Sequence, residues 1–263
     1  IVTKSISLKP RIGNPPERIA ETASGMLNAI GLANVGLDKF VEEKIPFLEK
    51  LNSTIICNIA AGSVEEYSRC VELLDSQTAI KAFEINVSCP NVKDGGLVFG
   101  NSVSWVGKIT SAVRRKTNKP IIIKLSPNTA RISDFAEAAK QEGADAVSAI
   151  NTLVGTAFNI WNRKPKIKNI TGGLSGPAIK PIALAKVLEI SRNINIPIIG
   201  IGGIAKWEDA VEFMIAGASA FQIGTANFIN PMVSMEILDG IKYYCKKMSL
   251  QNIINLTASY KLQ

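Results

Sequence analysis

Two glycine turns, a cysteine in a polar loop, a lysine closing an apolar run and four asparagines carry the chemistry open to this sequence. The first turn is Ile198-Ile199-Gly200-Ile201-Gly202-Gly203-Ile204; the second is Phe221-Gln222-Ile223-Gly224-Thr225-Ala226. Each ends a β-like run and leads into a helical one. Glycines let backbone N–H groups approach a phosphate, and a following helix adds its dipole. Glycines also make ordinary tight turns. It is the pair, one unit apart, that points to a phosphate-bearing ligand.

Cys89 lies in Asn86-Val87-Ser88-Cys89-Pro90-Asn91, where a strand leaves on a turn fixed by Pro90. A lone cysteine is most often a small buried hydrophobe. This one sits between asparagines, and the chain contains no histidine, so a thiol is one of few bases available. A free thiol titrates near ~8.5, and nearby cations increase its thiolate fraction. Cys57, Cys70 and Cys245 fall in strand or helix patterns and read as packing.

Lys124 closes Ile121-Ile122-Ile123-Lys124-Leu125. A buried charge needs a partner, here a phosphate or an electron-rich ring. Beside the N1–O2 edge of a flavin, a lysine stabilises the anionic reduced form. Lys4, at the end of the first apolar run, invites the same argument. Asn28, Asn86, Asn91 and Asn151 each offer a donor and an acceptor. Singly they suit turns and caps; together they suit a ring that alternates N–H and C=O, such as a pyrimidinedione.

These residues need elements to hold them. β-branched runs at Ile1–Ile6, Thr54–Ile59, Ala79–Asn86, Pro120–Leu125, Ala144–Asn151, Ile196–Ile201 and Ala218–Ile223 alternate with helical patterns at Val64–Leu74, Val103–Lys116, Ser133–Glu142, Ile182–Ile194, Lys206–Ala216 and Val233–Lys247. The runs are near-continuously apolar, as parallel strands covered on both faces should be. Polar residues and glycines close most of them, and no GxGxxG follows the first. That layout predicts a single α/β domain over residues 1–263, a (β/α)8 TIM barrel with its active face at the strand ends. A barrel needs one more strand than the sequence shows. That strand would precede Ile1, so the reading is of a chain truncated at its amino end, with the first stave missing. Two connections, Ser7–Asn34 and Gly155–Pro181, are too long for plain loops and read as lids over a ligand.

Composition bounds the rest. The 263 residues are 46% hydrophobic, enough for a sizeable core. Four cysteines without a CxxC pair and no histidine leave no visible metal ligand set. The net charge of +8 is scattered over the chain, which reads as solvated surface rather than a nucleic-acid patch. No apolar run has the length of a membrane helix and no signal peptide opens the chain, so a cytoplasmic protein without membrane contact is expected.

At these residues the sequence resembles the dihydroorotate dehydrogenases over essentially its whole length. The likeness is carried by Thr3-Lys4-Ser5, Arg11-Ile12-Gly13-Asn14-Pro15, Asn28-Ala29-Ile30-Gly31-Leu32, Asn86-Val87-Ser88-Cys89-Pro90-Asn91, Lys124-Leu125-Ser126-Pro127-Asn128, Ile150-Asn151-Thr152, Gly172-Gly173-Leu174-Ser175-Gly176-Pro177, Gly200-Ile201-Gly202-Gly203-Ile204 and Gly224-Thr225-Ala226-Asn227-Phe228. Cys89 is similar to the base of the soluble class, and Asn91 to Gly96 with Phe99-Gly100 resembles the NAD-linked branch. The resemblance implies FMN bound by its phosphate at Gly176, Gly202, Gly203, Gly224 and Thr225. Lys4, Ser5, Asn58, Asn86, Lys124, Ile150 and Asn151 would line the rest of the flavin. It implies orotate held by Lys4, Asn28, Ile30, Gly31, Leu32, Asn86, Asn91, Asn151 and Thr152. Cys89 would take the C5 proton of dihydroorotate while C6 gives hydride to flavin N5, with Lys4 and Lys124 assisting. It further implies a homodimer and an iron–sulfur flavoprotein partner carrying FAD and a [2Fe–2S] cluster. The family's first strand and its Ala-Ser-Gly loop on FMN would both precede Ile1.

Two other readings are weighed against this. One is a dihydropyrimidine dehydrogenase-like flavoenzyme; Asn91 and the Asn28–Gly31 loop favour dihydroorotate over it. The other is a non-catalytic truncated fragment unable to hold FMN.

Overall fold

The computed structural model describes residues 1–87, 93–94, 97–98 and 102–261. In chain order the strands are β1 (Ile19–Thr22), β2 (Gly25–Asn28), β3 (Ile55–Ile59), β4 (Ile80–Asn86), β5 (Lys93–Asp94), β6 (Leu97–Val98), β7 (Ile121–Leu125), β8 (Ala146–Ala149), β9 (Leu153–Thr156), β10 (Thr171–Ser175), β11 (Ile198–Ile201) and β12 (Ala220–Gln222). The helices are α1 (Leu37–Lys39), α2 (Ile45–Leu48), α3 (Val64–Leu74), α4 (Val103–Arg114), α5 (Ile132–Gln141), α6 (Lys180–Asn193), α7 (Trp207–Ala216), α8 (Ala226–Ile229) and α9 (Val233–Lys247). A π-helical turn over Phe40–Lys44 joins α1 to α2.

The chain divides into two compact units. The first comprises Ile1–Asn14, Ile30–Leu125 and Asp134–Val147; the second comprises Pro15–Ala29, Ser126–Ser133 and Ser148–Gln263.

The first unit is built on parallel strands in the order β7-β4-β3. Parallel partners point their side chains the same way, so register decides what shares a face. Cys57 pairs with Phe83 and Phe83 with Ile121; Ile59 pairs with Ile85 and Ile85 with Ile123. That face is fully buried. α3 packs against β3 and β4 through Tyr67, Cys70, Val71 and Leu74. α3 starts where the sequence places it because Ser63 caps it, its Oγ accepting from the Glu66 N–H at 3.2 Å. The Ile1–Ile6 run is not a continuous strand. It touches β3 by two parallel bridges, Val2 to Ile56 and Ile6 to Ile59, with Lys4 and Ser5 between them. The Thr3 side chain takes part in place of a regular ladder, its Oγ1 accepting from the Asn58 N–H at 3.1 Å.

The second unit holds parallel β11 and β12 and an antiparallel sheet in the order β1-β2-β10-β9. This sheet shows what the two long connections contain. Residues 19–28 form a hairpin, residues 153–175 supply β9 and β10, and β2 pairs with β10. Gly172 and Gly173 in β10 hid the strand pattern, yet they are what admits it. A Cβ on Gly173 would stand 2.2 Å from Thr152 Oγ1, and one on Gly172 2.6 Å from the Asn28 carbonyl. α6 packs on β11 and α7 lies between α6 and α9. Among the described residues no helix is long and apolar enough to cross a membrane.

Gly25 opens β2 against the end of β10, and a Cβ there would fall 2.0 Å from the Ser175 carbonyl oxygen. Gly25→Ala is therefore expected to cost about 1–3 kcal/mol, the usual range for overpacking, read as a lowered Tm in a thermal melt. An unchanged Tm would show that the β2–β10 join yields freely.

Candidate functional site

In the first unit the register that makes one face of β3, β4 and β7 apolar makes the other polar. Asn58 pairs with Glu84 across β3–β4, and Asn86 pairs with Lys124 across β4–β7. Asn58, Glu84 and Asn86 are buried, at 3%, 0% and 7% exposure. The Asn58 amide donates to Glu84 Oε1 at 2.5 Å, and Lys124 Nζ stands 3.9 Å from the same oxygen. Asn58 Oδ1 is buried with no hydrogen-bond partner among the described residues. Three of the residues expected to face a flavin thus meet here, around a carboxylate the sequence reading passed over. The signal for Glu84 was present: it is the only acid in the apolar run Ala79–Asn86, two residues before Asn86 and so on its face. Tyr67 was missed as well. Its buried hydroxyl donates to the Asn86 carbonyl at 2.7 Å, which fixes the end of β4.

Lys4 is exposed and Ser5 half-buried. Ile30, Gly31 and Leu32 are half-buried in a segment held by the Asn14 N–H on the Ile30 carbonyl at 3.0 Å. Gly31 has φ +75°, and a Cβ on it would meet the Asn14 backbone nitrogen at 2.6 Å. Cys89 and Asn91 lie outside the described residues. The other cysteines fit a packing role. Burial pushes the Cys57 thiol up to about 12 and the Cys70 thiol up to about 12, while Cys245 is half-buried.

In the second unit the glycine turns come together. Gly176 (φ +94°) precedes α6, and Gly202 (φ +132°) and Gly203 (φ +76°) follow β11. A Cβ on Gly203 would meet the Lys180 backbone nitrogen at 2.8 Å and the Gly176 carbonyl at 2.9 Å. A Cβ on Gly202 would stand 3.3 Å from Ile150. A Cβ on Gly224 would meet nothing within 4 Å, so open space lies beside that turn. The neighbouring Thr225 hydroxyl donates to Ser175 Oγ at 2.8 Å. The remaining residues are partly engaged in structure. The Asn28 amide donates to the Gly173 carbonyl at 3.3 Å, and Asn151 Oδ1 accepts from the Thr152 N–H at 2.9 Å. Asn128 holds the following segment, donating to the Thr152 carbonyl at 3.0 Å and accepting from the Val154 N–H at 3.1 Å.

One ion pair braces both turns. Lys180 Nζ contacts Asp209 Oδ1 at 2.7 Å and Glu212 Oε1 at 3.1 Å. Asp209 Oδ2 accepts from the Ala205 and Lys206 N–H groups at 2.9 and 3.0 Å, just beyond Gly202-Gly203. Burial alone would lift the Asp209 carboxyl. The Lys180 ammonium and the two backbone donors outweigh it and hold the carboxyl below its ordinary range. Hydrogen bonding to Asp209 in turn raises Lys180.

The comparisons with known proteins agree along the chain. A family model described as dihydroorotate dehydrogenase matches residues 1–244. A protein of Geotalea daltonii named dihydroorotate dehydrogenase B (NAD(+)), catalytic subunit, is 49% identical over 262 residues, covering 100% of this chain and 86% of its own length. Proteins of the same name are similar at 50% over 258 residues in Pelobacter propionicus, covering 98% of this chain and 85% of that one. In Parabacteroides distasonis the figure is 47% over 263 residues, covering 100% and 86%.

A carboxyl held below its unfolded value stabilises the fold above that value, about 3.9, and the stabilisation disappears as pH falls through the folded value. Asp209→Asn is therefore expected to lower Tm at pH ~7 and to approach the parent protein progressively as pH falls below ~4. Melts across that range check it, and a gap that stays constant with pH would remove the Asp209 carboxylate as the brace.

Proposed function

The chain belongs to the dihydroorotate dehydrogenase family, and on that premise we propose how its residues carry out the flavin-dependent oxidation of dihydroorotate to orotate in pyrimidine synthesis. Family membership also places the fold in the α/β TIM-barrel class, and we read residues 1–263 as a single flavin-binding domain. The observation that carries the site assignment is the buried Oδ1 of Asn58, unpartnered among the described residues, on the face that holds Lys124. A buried acceptor without a partner is costly, and a ring N–H would satisfy it.

The residues fit FMN. Gly176, Gly202 and Gly203 hold positive φ where the packed backbone leaves no room for a Cβ, and Gly224 borders open space. In this reading their backbone N–H groups and Thr225 take the phosphate. Lys4, Ser5, Asn58, Asn86, Lys124, Ile150 and Asn151 line the ring. Bound FMN supplies the acceptor for the hydride leaving C6 of dihydroorotate. Lys124 would supply a cation to stabilise the reduced, anionic form of the bound ring. Lys4, Asn28, Ile30, Gly31, Leu32, Asn86, Asn91, Asn151 and Thr152 hold the substrate through its alternating N–H and C=O groups. Cys89 removes the C5 proton as a thiolate.

The relatives' names specify a catalytic subunit of an NAD(+) type, which supports a separate electron-transfer subunit. We assign to that partner an FAD and a [2Fe–2S] cluster, and to this chain a homodimeric, cytoplasmic state.

Anaerobic addition of dihydroorotate to the FMN-loaded chain is expected to bleach the flavin band near ~450 nm. Cys89→Ser is expected to slow that bleaching by about 10²–10⁴-fold at neutral pH, the usual contribution of a general base. A rate that does not change would remove Cys89 from the role, and no bleaching in the parent protein would remove the substrate assignment.

A further inference from the structure

Glu84 is a charge in an expensive place. Its side chain is wholly buried in β4, and none of the motifs that carry the family likeness assigns it a task. Burying a carboxylate is tolerated only where neighbours answer it. Two do. The Asn58 amide lies 2.5 Å from Oε1 and the Lys124 ammonium 3.9 Å from it.

The amide contact has a directional consequence. An ionised carboxylate only accepts hydrogen bonds, whereas an asparagine side chain has one donor end and one acceptor end. Facing Glu84, Asn58 must turn its Nδ2 inward, which leaves Oδ1 pointing elsewhere. That oxygen is buried and has no partner among the described residues. The strand register allows no slack in the arrangement, because Asn58 and Glu84 are direct cross-strand partners. Without the acid, either end of the amide could present itself to a ligand.

We propose that Glu84 is a positioning residue: it fixes the Asn58 amide so that Oδ1 is offered to a ring N–H of the imide type, and it tethers the Lys124 ammonium on the same face. This rests on the reading of Asn58 and Lys124 as ligand-facing. An imide N–H is present both in the flavin ring and in dihydroorotate, and the test separates them.

The full chain is stripped of flavin, and its affinities for FMN and, after reloading, for orotate are measured by fluorescence quenching and by the shift of the flavin absorbance. Glu84→Gln keeps the shape but gives the site an amide that can face Asn58 with either end. It is expected to weaken one ligand by about tenfold, the loss of roughly one hydrogen bond, with little change in Tm. A loss confined to FMN assigns Oδ1 to the flavin; a loss confined to orotate assigns it to the substrate. Asn58→Leu removes the acceptor and should weaken the same ligand. The double variant should be no weaker than Asn58→Leu, because Glu84 acts through that amide. Additive losses, or a Glu84→Gln chain that binds both ligands as the parent does, would overturn the proposal. If Glu84→Gln does not fold, Asn58→Leu alone decides: unchanged affinity for both ligands overturns it. A parent chain that binds neither ligand would overturn the flavin reading itself, a result that needs no variant.

Discussion

A carboxylate inside a parallel sheet must be neutralised by whatever the register places beside it. In the first unit that requirement organises one whole face. Glu84 stands opposite Asn58, and Lys124 stands opposite Asn86 one pleat further on. The same alternation sends Cys57, Phe83, Ile85, Ile121 and Ile123 to the other side, where they are buried. A shift of one residue in β4 would exchange the two faces, burying apolar groups among polar ones. The ion and its amide partner therefore specify the register as well as decorate it, and the apolar packing beneath α3 enforces the same choice from the opposite side.

The second unit solves a different problem by different means. Its turns are built on glycines at positive φ, and glycine alone is permissive. Rigidity comes from close contact: Gly203 sits against Lys180 and the Gly176 carbonyl, and Gly202 against Ala183, Ile150 and Ile179. The Lys180–Asp209 pair then ties the start of α6 to the segment leading into α7. The first unit thus holds a fixed set of polar side chains, and the second a fixed set of glycine turns.

Much of this was legible in the sequence, for identifiable reasons. α3 and α9 lie where their periodicity places them, because strong amphipathic patterns with a cap or a clear end leave little choice. β3, β4 and β7 were legible as β-branched runs. The β1–β2 hairpin and β9–β10 were not, since their glycines and polar residues look like loop and acquire strand geometry only by pairing with a distant segment. The asparagines and Lys124 could be marked as chemistry, and spacing alone puts Glu84 on the face of Asn86, but its pairing with Asn58 could not be read until the register was known. Pairing across strands is a long-range fact, and one sequence shows only what is local.

The join of β2 to β10 has a kinetic meaning. The Asn28 side chain reaches the Gly173 carbonyl across a separation of 145 residues, so the antiparallel sheet closes one of the longest loops in the protein. Contacts this distant come with a large loss of chain entropy before any reward and slow folding accordingly. During synthesis the β1–β2 hairpin emerges early and waits, a two-stranded piece that is marginal alone, until β10 leaves the ribosome. The segments that carry Asn28 and Thr152 then order together only after residues 171–175 have been made.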